Sequence, residues 1–350
     1  MSMAGLDKTI CHINLARGYR GGERQTELLV RGLAQQGWTQ RLVIRKGSPL
    51  AEHCAGIDAL EIAEVMSNQV AAGLAARGSA LIHAHDARSV DSGLLASLLF
   101  DIPYILTRRV VNPQKKSWRR DKGYRRAANI IAISRAAADE MRKQQPYVTP
   151  TIIRDAHATM DVDAAQVAAI RKRRPGKTLI GHVGALEHSH KGQLTIIEVA
   201  REAVHSRPDW HFLLVGRGND EARFREAMNG LENIELVGFV DNIGDYLSAF
   251  DLFVFPSLHE ALGSTLVDAM HFGLPIVATN VGGIPEIIDD GTNGRLVQPE
   301  RVDQLYDAMA FILDDESRVS SISQANKIKA ADFGAERMVD AYEEIYRQIL

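Results

Sequence analysis

The chain alternates short apolar runs with helix-length segments, and it does so twice. The runs "ICHINL" (10–15), "RLVIR" (41–45), "ALIHAH" (80–85), "YILT" (104–107) and "NIIAIS" (129–134) read as strands. After the basic joint "KRRPGK" the series restarts with "TLIGHVG" (178–184), "HFLLVG" (211–216), "IELVGF" (234–239), "LFVFPS" (252–257) and "PIVATN" (275–280). Most of these runs are continuous rather than alternating, as expected of strands buried on both faces. Helical segments are expected over about 23–36, 88–100, 134–145, 190–206, 220–229, 263–273 and 301–314. Strands separated by helices on this scale make parallel sheets with right-handed crossovers. A length of 350 residues suits two such domains. The expected architecture is α/β: two Rossmann-like domains, 1–170 and 171–330, with parallel sheets facing an interdomain cleft. The amphipathic end "AERMVDAYEEIYRQIL", within 331–350, is expected to pack back toward the first domain.

Several classes of function are disfavoured by composition. A net charge of -3 argues against a general nucleic-acid binder. Two cysteines, Cys11 and Cys54, are too few for a disulfide framework and fit a reducing compartment. No signal-peptide pattern opens the sequence, and no apolar run reaches the ~18 residues of a membrane span. The expected location is therefore cytoplasmic. Charge is concentrated over 108–126, "RRVVNPQKKSWRRDKGYRR", where nine Lys/Arg face one acid. This stretch reads either as a solvated, mobile loop or as a docking surface for anionic headgroups or a phosphorylated acceptor, through Arg108, Arg109, Lys115, Lys116, Arg119 and Arg120. Trp118 and Tyr124 suit an interfacial depth.

In doubly wound sheets ligands bind at the carboxyl ends of strands, and the unusual residues of this chain cluster there. Gly21 and Gly22 follow the first strand and open a helix whose free amides suit a phosphate. Gly184 and Lys191 follow the first strand of the second half, and a lysine near a helix start suits a diphosphate. In "PSLHEALGSTLVDAM" (256–270), Glu260 precedes a helix start at Gly263, Ser264 and Thr265. Gly263 allows close backbone approach, Ser264 is placed to cap the helix, and Asp268 lies four residues further on the same face. Carboxylates for hydroxyls beside amides for phosphate describe a well for a nucleotide sugar. Ordinary helix-start acids are the plainer alternative.

The run "FPSLHEALGSTLVDAMHFGLPIVATNVGGIPEIIDDGTNGRLVQP" (255–299) resembles the signature of the retaining glycosyltransferases of family 4, which have the GT-B fold. "GGERQTELLVRGLAQQGW" is similar to that family's glycine loop and helix, and "HAHDA" to its histidine loop. The resemblance implies that Glu260 contacts donor-sugar hydroxyls and that amides of Gly263, Ser264 and Thr265 hold sugar and diphosphate. It implies that Asp268 binds ribose, that Lys191 neutralises the diphosphate, and that Phe239, Val240 and Asp241 touch the base. Gly21 and Gly22 would approach the diphosphate, and His85 would lie near donor sugar or acceptor. Glu260, His85 and Lys191 are the expected catalytic set. Two departures stand out. The second acid is Asp268 rather than Glu, and Gly184-Ala185-Leu186 replaces the usual Gly-Arg-Leu, leaving Arg17, Arg20 or Arg217 to supply the missing cation.

The implied chemistry is front-face glycosyl transfer with retention, assisted by a donor phosphate oxygen. It uses no metal and no cofactor beyond the nucleotide-sugar co-substrate. An aromatic-studded basic loop without a span points to a glycolipid or lipopolysaccharide-type acceptor at the inner-leaflet membrane surface, with the protein peripheral on its cytoplasmic face. Three rivals remain. "HAHD" (83–86) and "HSH" (188–190) have metal-ligand spacing, which would suit a metal-dependent hydrolase; "DVD" (161–163) has the look of a metal motif from another transferase fold. A sugar-nucleotide epimerase and a non-catalytic nucleotide-sugar-binding protein are the others.

Overall fold

A computed structural model describes residues 8–66, 68–110 and 117–350. The chain forms two compact units, Met1–Ala156 with Phe333–Leu350, and His157–Asp332. The first holds a parallel seven-stranded sheet: β1 (Ile10–Asn14), β2 (Gln40–Arg45), β3 (Leu60–Val65), β4 (Leu81–Ala84), β5 (Tyr104–Arg108), β6 (Asn129–Ala132) and β7 (Thr151–Ile152), in the order β3-β2-β1-β4-β5-β6-β7. The second holds a parallel six-stranded sheet: β8 (Thr178–Val183), β9 (Trp210–Val215), β10 (Ile234–Gly238), β11 (Leu252–Phe255), β12 (Ile276–Thr279) and β13 (Arg295–Val297), in the order β10-β9-β8-β11-β12-β13.

Both orders reverse beside the first strand of the sheet, β1 or β8, which places ligand-binding loops after β1 and β4 and after β8 and β11. The central strands are the continuous apolar runs of the sequence, and helices cover both faces with buried aliphatic side chains. Cys11 and Cys54 are buried free thiols, and burial raises both to about 12. Among the described residues no helix is long and apolar enough to cross a membrane.

The closing helix Ala335–Ile349 buries Met338, Val339, Tyr342, Ile345 and Tyr346, a stripe at helical spacing, in the core of the first unit. It lies so close to the helix Gly21–Gln35 that a Cβ on Gly32 would overlap Val339. Trp38 Nε1 donates to Glu343 at 2.8 Å and Gln36 Nε2 to Asp340 at 2.8 Å, which fixes its register.

The basic stretch departs from the sequence expectation. Residues Trp118–Arg126 form a helix rather than a loop, and Tyr124 is on its buried side. Arg108 is the last residue of β5, an interior strand, and is buried with Nε donating to Val110 O and Nη1 reaching Tyr124 Oη. Arg109 is also buried and pairs with Asp155 at 3.2 Å. Neither arginine is on the surface, so a docking face does not extend to them. Trp118 and Arg119 are exposed and Arg120 is half-buried. Lys115 and Lys116 lie outside the described residues.

Candidate functional site

In the second unit the expected donor-binding residues gather at the carboxyl ends of β10, β9, β8 and β11, four consecutive neighbours. Strand β11 is buried throughout, and the chain leaves it through Pro256 and Ser257 into the loop carrying Glu260. Gly263 has φ +102°, a left-handed conformation that L side chains avoid, and it is the residue from which the helix Ser264–His271 starts. The cap is thus Gly263 itself, and Ser264 is the first helical residue with no capping bond from its side chain. The turn is tight enough to need glycine, which displaces the serine from the role its type suggests. Glu260 Cγ lies 3.6 Å from where a Gly263 Cβ would be, so the carboxylate stands beside the helix start.

Lys191 ends a short helical turn, His188–Lys191. Backbone bonds tie that turn to the Glu260 loop: the N–H groups of Leu258 and His259 donate to His190 O at 2.8 and 3.3 Å. Gly192, at φ +67°, lets the two segments touch, because a Cβ there would overlap Pro256 O. As a result Lys191 Nζ reaches Glu260 Oε2 at 2.6 Å, with the side chains 23% and 14% exposed. Ser257 Oγ lies 3.5 Å from the same oxygen, and Lys191 Nζ lies 5.0 Å from the Phe255 ring centroid. The structure therefore joins the two principal site residues into an ion pair, which spacing along the chain did not reveal.

Asp268 is buried, and its Oδ1 accepts the Ala158 N–H at 3.0 Å. Phe239 is 60% exposed just beyond β10, and the Arg217 guanidinium lies over its ring at 4.6 Å. Arg217 follows β9 and Gly184 follows β8, and Arg217 O accepts the Leu186 N–H at 3.1 Å, so this arginine lies beside the segment in which Ala185 replaces the expected one. Val240 and Asp241 continue the loop after Phe239.

The glycine pair Gly282-Gly283 supports the Glu260 loop from behind. Gly283 N–H donates to Glu260 O at 3.2 Å, and a Cβ on Gly282, at φ +54°, would overlap that same carbonyl oxygen. The motif was visible in the sequence as "VGGIPE"; its supporting role was not.

In the first unit Gly21 and Gly22 open the helix Gly21–Gln35, and the Arg109 side chain passes close to Gly22, Cδ lying 3.7 Å from where a Cβ would be. His85 is buried in a polar network. Its Nε2 lies 2.9 Å from His12 Nδ1, and Arg109 Nη1 approaches its Nδ1 at 3.4 Å. His83, paired in register with His12, bonds Tyr346 Oη at 2.6 Å and Thr107 Oγ1 at 2.7 Å. The three imidazoles have ligand atoms within 4.8 Å of one another, which is the one set among the described residues compact enough to consider for a metal ion. The short His12–His85 contact requires a proton between the rings, both His83 nitrogens are hydrogen-bonded, and the Arg109 guanidinium opposes a cation. These contacts tie the three imidazoles into one buried hydrogen-bonded cluster. Two acids of the other spaced clusters have structural partners: Asp86 accepts N–H groups of Leu15, Arg88 and Ser89, and Asp163 caps the helix Ala164–Lys172.

Burial pushes His12 down to about 3 and His182 to about 4, and holds His83 and His85 well below their ordinary value. The folded state thus binds fewer protons than the unfolded one below about pH 6.5, so stability is full above that value and falls as pH drops. Each such histidine contributes a loss of ~1.4 kcal/mol per pH unit in that window. Urea unfolding at pH 7.5 and 5.5 is expected to show a loss of several kcal/mol, and His12→Leu or His83→Leu is expected to flatten the slope.

Comparison with known proteins is consistent along both units. The family model described as Glycosyltransferase Family 4 matches residues 19–154, and that described as glycosyl transferases group 1 matches residues 177–315. The α-D-kanosaminyltransferase of Streptomyces kanamyceticus is 30% identical over 263 residues, which is 71% of this chain and 67% of that protein. The lipopolysaccharide core biosynthesis mannosyltransferase LpsB of Rhizobium meliloti is 30% identical over 187 residues, 50% of this chain and 53% of its own. Among solved structures, HepE of Anabaena in complex with UDP-glucose has a TM-score of 0.85 at 18% identity, covering 97% of this chain and 99% of that one.

Proposed function

This chain belongs to glycosyltransferase family 4 and is a glycosyltransferase with the GT-B fold; on that premise we propose that it moves a sugar from a nucleoside-diphosphate sugar to a glycolipid or lipopolysaccharide-type acceptor, with retention at the anomeric carbon. The observation that carries the donor half is the Lys191–Glu260 pair beside the helix start at Gly263. A lysine and the first amides of a helix offer positive charge to a diphosphate, and a carboxylate beside them accepts from sugar hydroxyls. Leaving-group charge is then met by fixed protein groups, so the transfer uses no metal ion. A donor phosphate oxygen takes the acceptor proton during attack on the same face. Gly184 and the Phe239–Asp241 loop serve the diphosphate and base, Asp268 the ribose, and Gly21, Gly22 and His85 the donor or acceptor. HepE, solved with UDP-glucose, supports a nucleotide-sugar donor.

The acceptor half rests on the helix Trp118–Arg126. Trp118 is 72% exposed, Arg119 lies over its ring, and the neighbouring helix Ser89–Phe100 exposes Leu98 and Leu99. Exposed apolar side chains among cations suit an anionic membrane surface, and LpsB is named for lipopolysaccharide core biosynthesis. Replacing Lys115, Lys116, Arg119 and Arg120 with Ser is expected to weaken sedimentation with anionic phospholipid vesicles at least tenfold, given about 1 kcal/mol per basic residue. Unchanged sedimentation contradicts the membrane half. It would favour a second reading, a soluble aminocyclitol acceptor, which the relative named 2-deoxystreptamine glucosyltransferase supports.

A further inference from the structure

We propose that Glu260 makes the site discriminate a nucleotide sugar from the bare nucleoside diphosphate, by exchanging Lys191 for the hydroxyls of the donor sugar. This rests on the donor reading above and adds a consequence of the ion pair to it. Lys191 Nζ and Glu260 Oε2 are 2.6 Å apart, and both side chains are largely withdrawn from water. Their positions are set by backbone bonds from Leu258 and His259 to His190, not by the ion pair alone. The two groups therefore stay close whether or not they are bonded to each other.

A diphosphate that draws Lys191 toward itself takes away the carboxylate's partner. The carboxylate then stands beside added negative charge, with Ser257 Oγ at 3.5 Å on its own loop. Leaving a shielded charge unpaired is costly, whereas supplying it with new donors recovers most of that cost. Sugar hydroxyls are such donors, and free nucleoside diphosphate carries none at that place. The bare product is penalised and the donor is not. The same residue that holds the sugar thus also favours release of the nucleotide once the sugar has gone.

The test is calorimetric titration of the wild type and Glu260→Gln with UDP, GDP and ADP, and with UDP-glucose, GDP-mannose and ADP-glucose. In the variant the preferred nucleoside diphosphate is expected to bind about tenfold tighter, because Lys191 no longer has a charged partner to leave. Its sugar conjugate is expected to gain nothing, so the wild-type preference for conjugate over diphosphate collapses. Glu260→Ala should shift the diphosphate affinity the same way, which guards against a folding defect of one variant. A nucleoside diphosphate that binds wild type and both variants equally, or binds the variants more weakly, overturns the exchange while leaving the donor site standing. Binding of no nucleotide by any of the proteins overturns the donor reading and the exchange with it.

Discussion

Glu260→Ala is expected to lower sugar transfer by about 10²–10³-fold or more while leaving the fold intact, the loss typical when a preorganised polar contact is removed from a reacting centre. The expectation follows from position. The carboxylate stands next to the helix start, 2.6 Å from Lys191, on a loop held by bonds to His190 and Gly283. Truncation removes the contact without disturbing the backbone that places it. The remaining lysine is 23% exposed and keeps partial access to water, so the stability cost stays at about 1–3 kcal/mol. Release of nucleotide from UDP-glucose, GDP-mannose or ADP-glucose in the presence of acceptor reads the rate, and far-UV circular dichroism with a urea midpoint reads the fold. A near-wild-type rate contradicts the role of Glu260.

Gly282→Ala is expected to be the more damaging change, although it adds one methyl group outside the site. The residue has φ +54°, which costs an alanine about 1 kcal/mol, and its Cβ would overlap Glu260 O. Neither neighbour yields easily: one is backbone carbonyl, and Gly283 is packed against Ala261 O in the same manner. Overpacking of this kind costs about 1–3 kcal/mol on top of the conformational term. Relief requires the Glu260 loop to move, so the urea midpoint and the transfer rate are expected to fall together. A variant with unchanged stability and rate would mean that the loop does not depend on this contact.

How far the sequence is legible follows from the physical signal each feature leaves. The central strands read clearly because strands buried on both faces are continuous apolar runs. Three of the four edge strands did not: β3 has no fully buried residue, both residues of β7 are exposed and only one of the three residues of β13 is buried, and at a sheet margin no such run is required. Glu260, Gly263 and Lys191 were found as members of motifs, yet their mutual ion pair spans 69 positions and depends on the Leu258–His190 bonds. His83 and His85 are visible as a pair, whereas His12 joins them only because β1 and β4 are neighbours in register. The density of charge over 108–126 suggested a surface loop. Arg108 and Arg109 are instead drawn inward by β5 and by Asp155, an ion-pair partner 46 residues away from Arg109. Charge along a sequence says how much solvation or pairing is needed, not which of the two a residue receives.

The binding of a nucleoside-diphosphate sugar at Lys191 and Glu260 is tested most directly by the unfolding midpoint of the purified chain with UDP, GDP, ADP, CMP and their sugar conjugates. A ligand that binds only the folded state at a hundred times its Kd adds ~2.7 kcal/mol. For units of this size that raises the midpoint by about 5–10 °C. Selective stabilisation by one nucleotide series is expected, strongest with its sugar conjugate, and Glu260→Ala is expected to remove that preference of conjugate over bare diphosphate. An unchanged midpoint with every nucleotide and every conjugate would contradict the donor site.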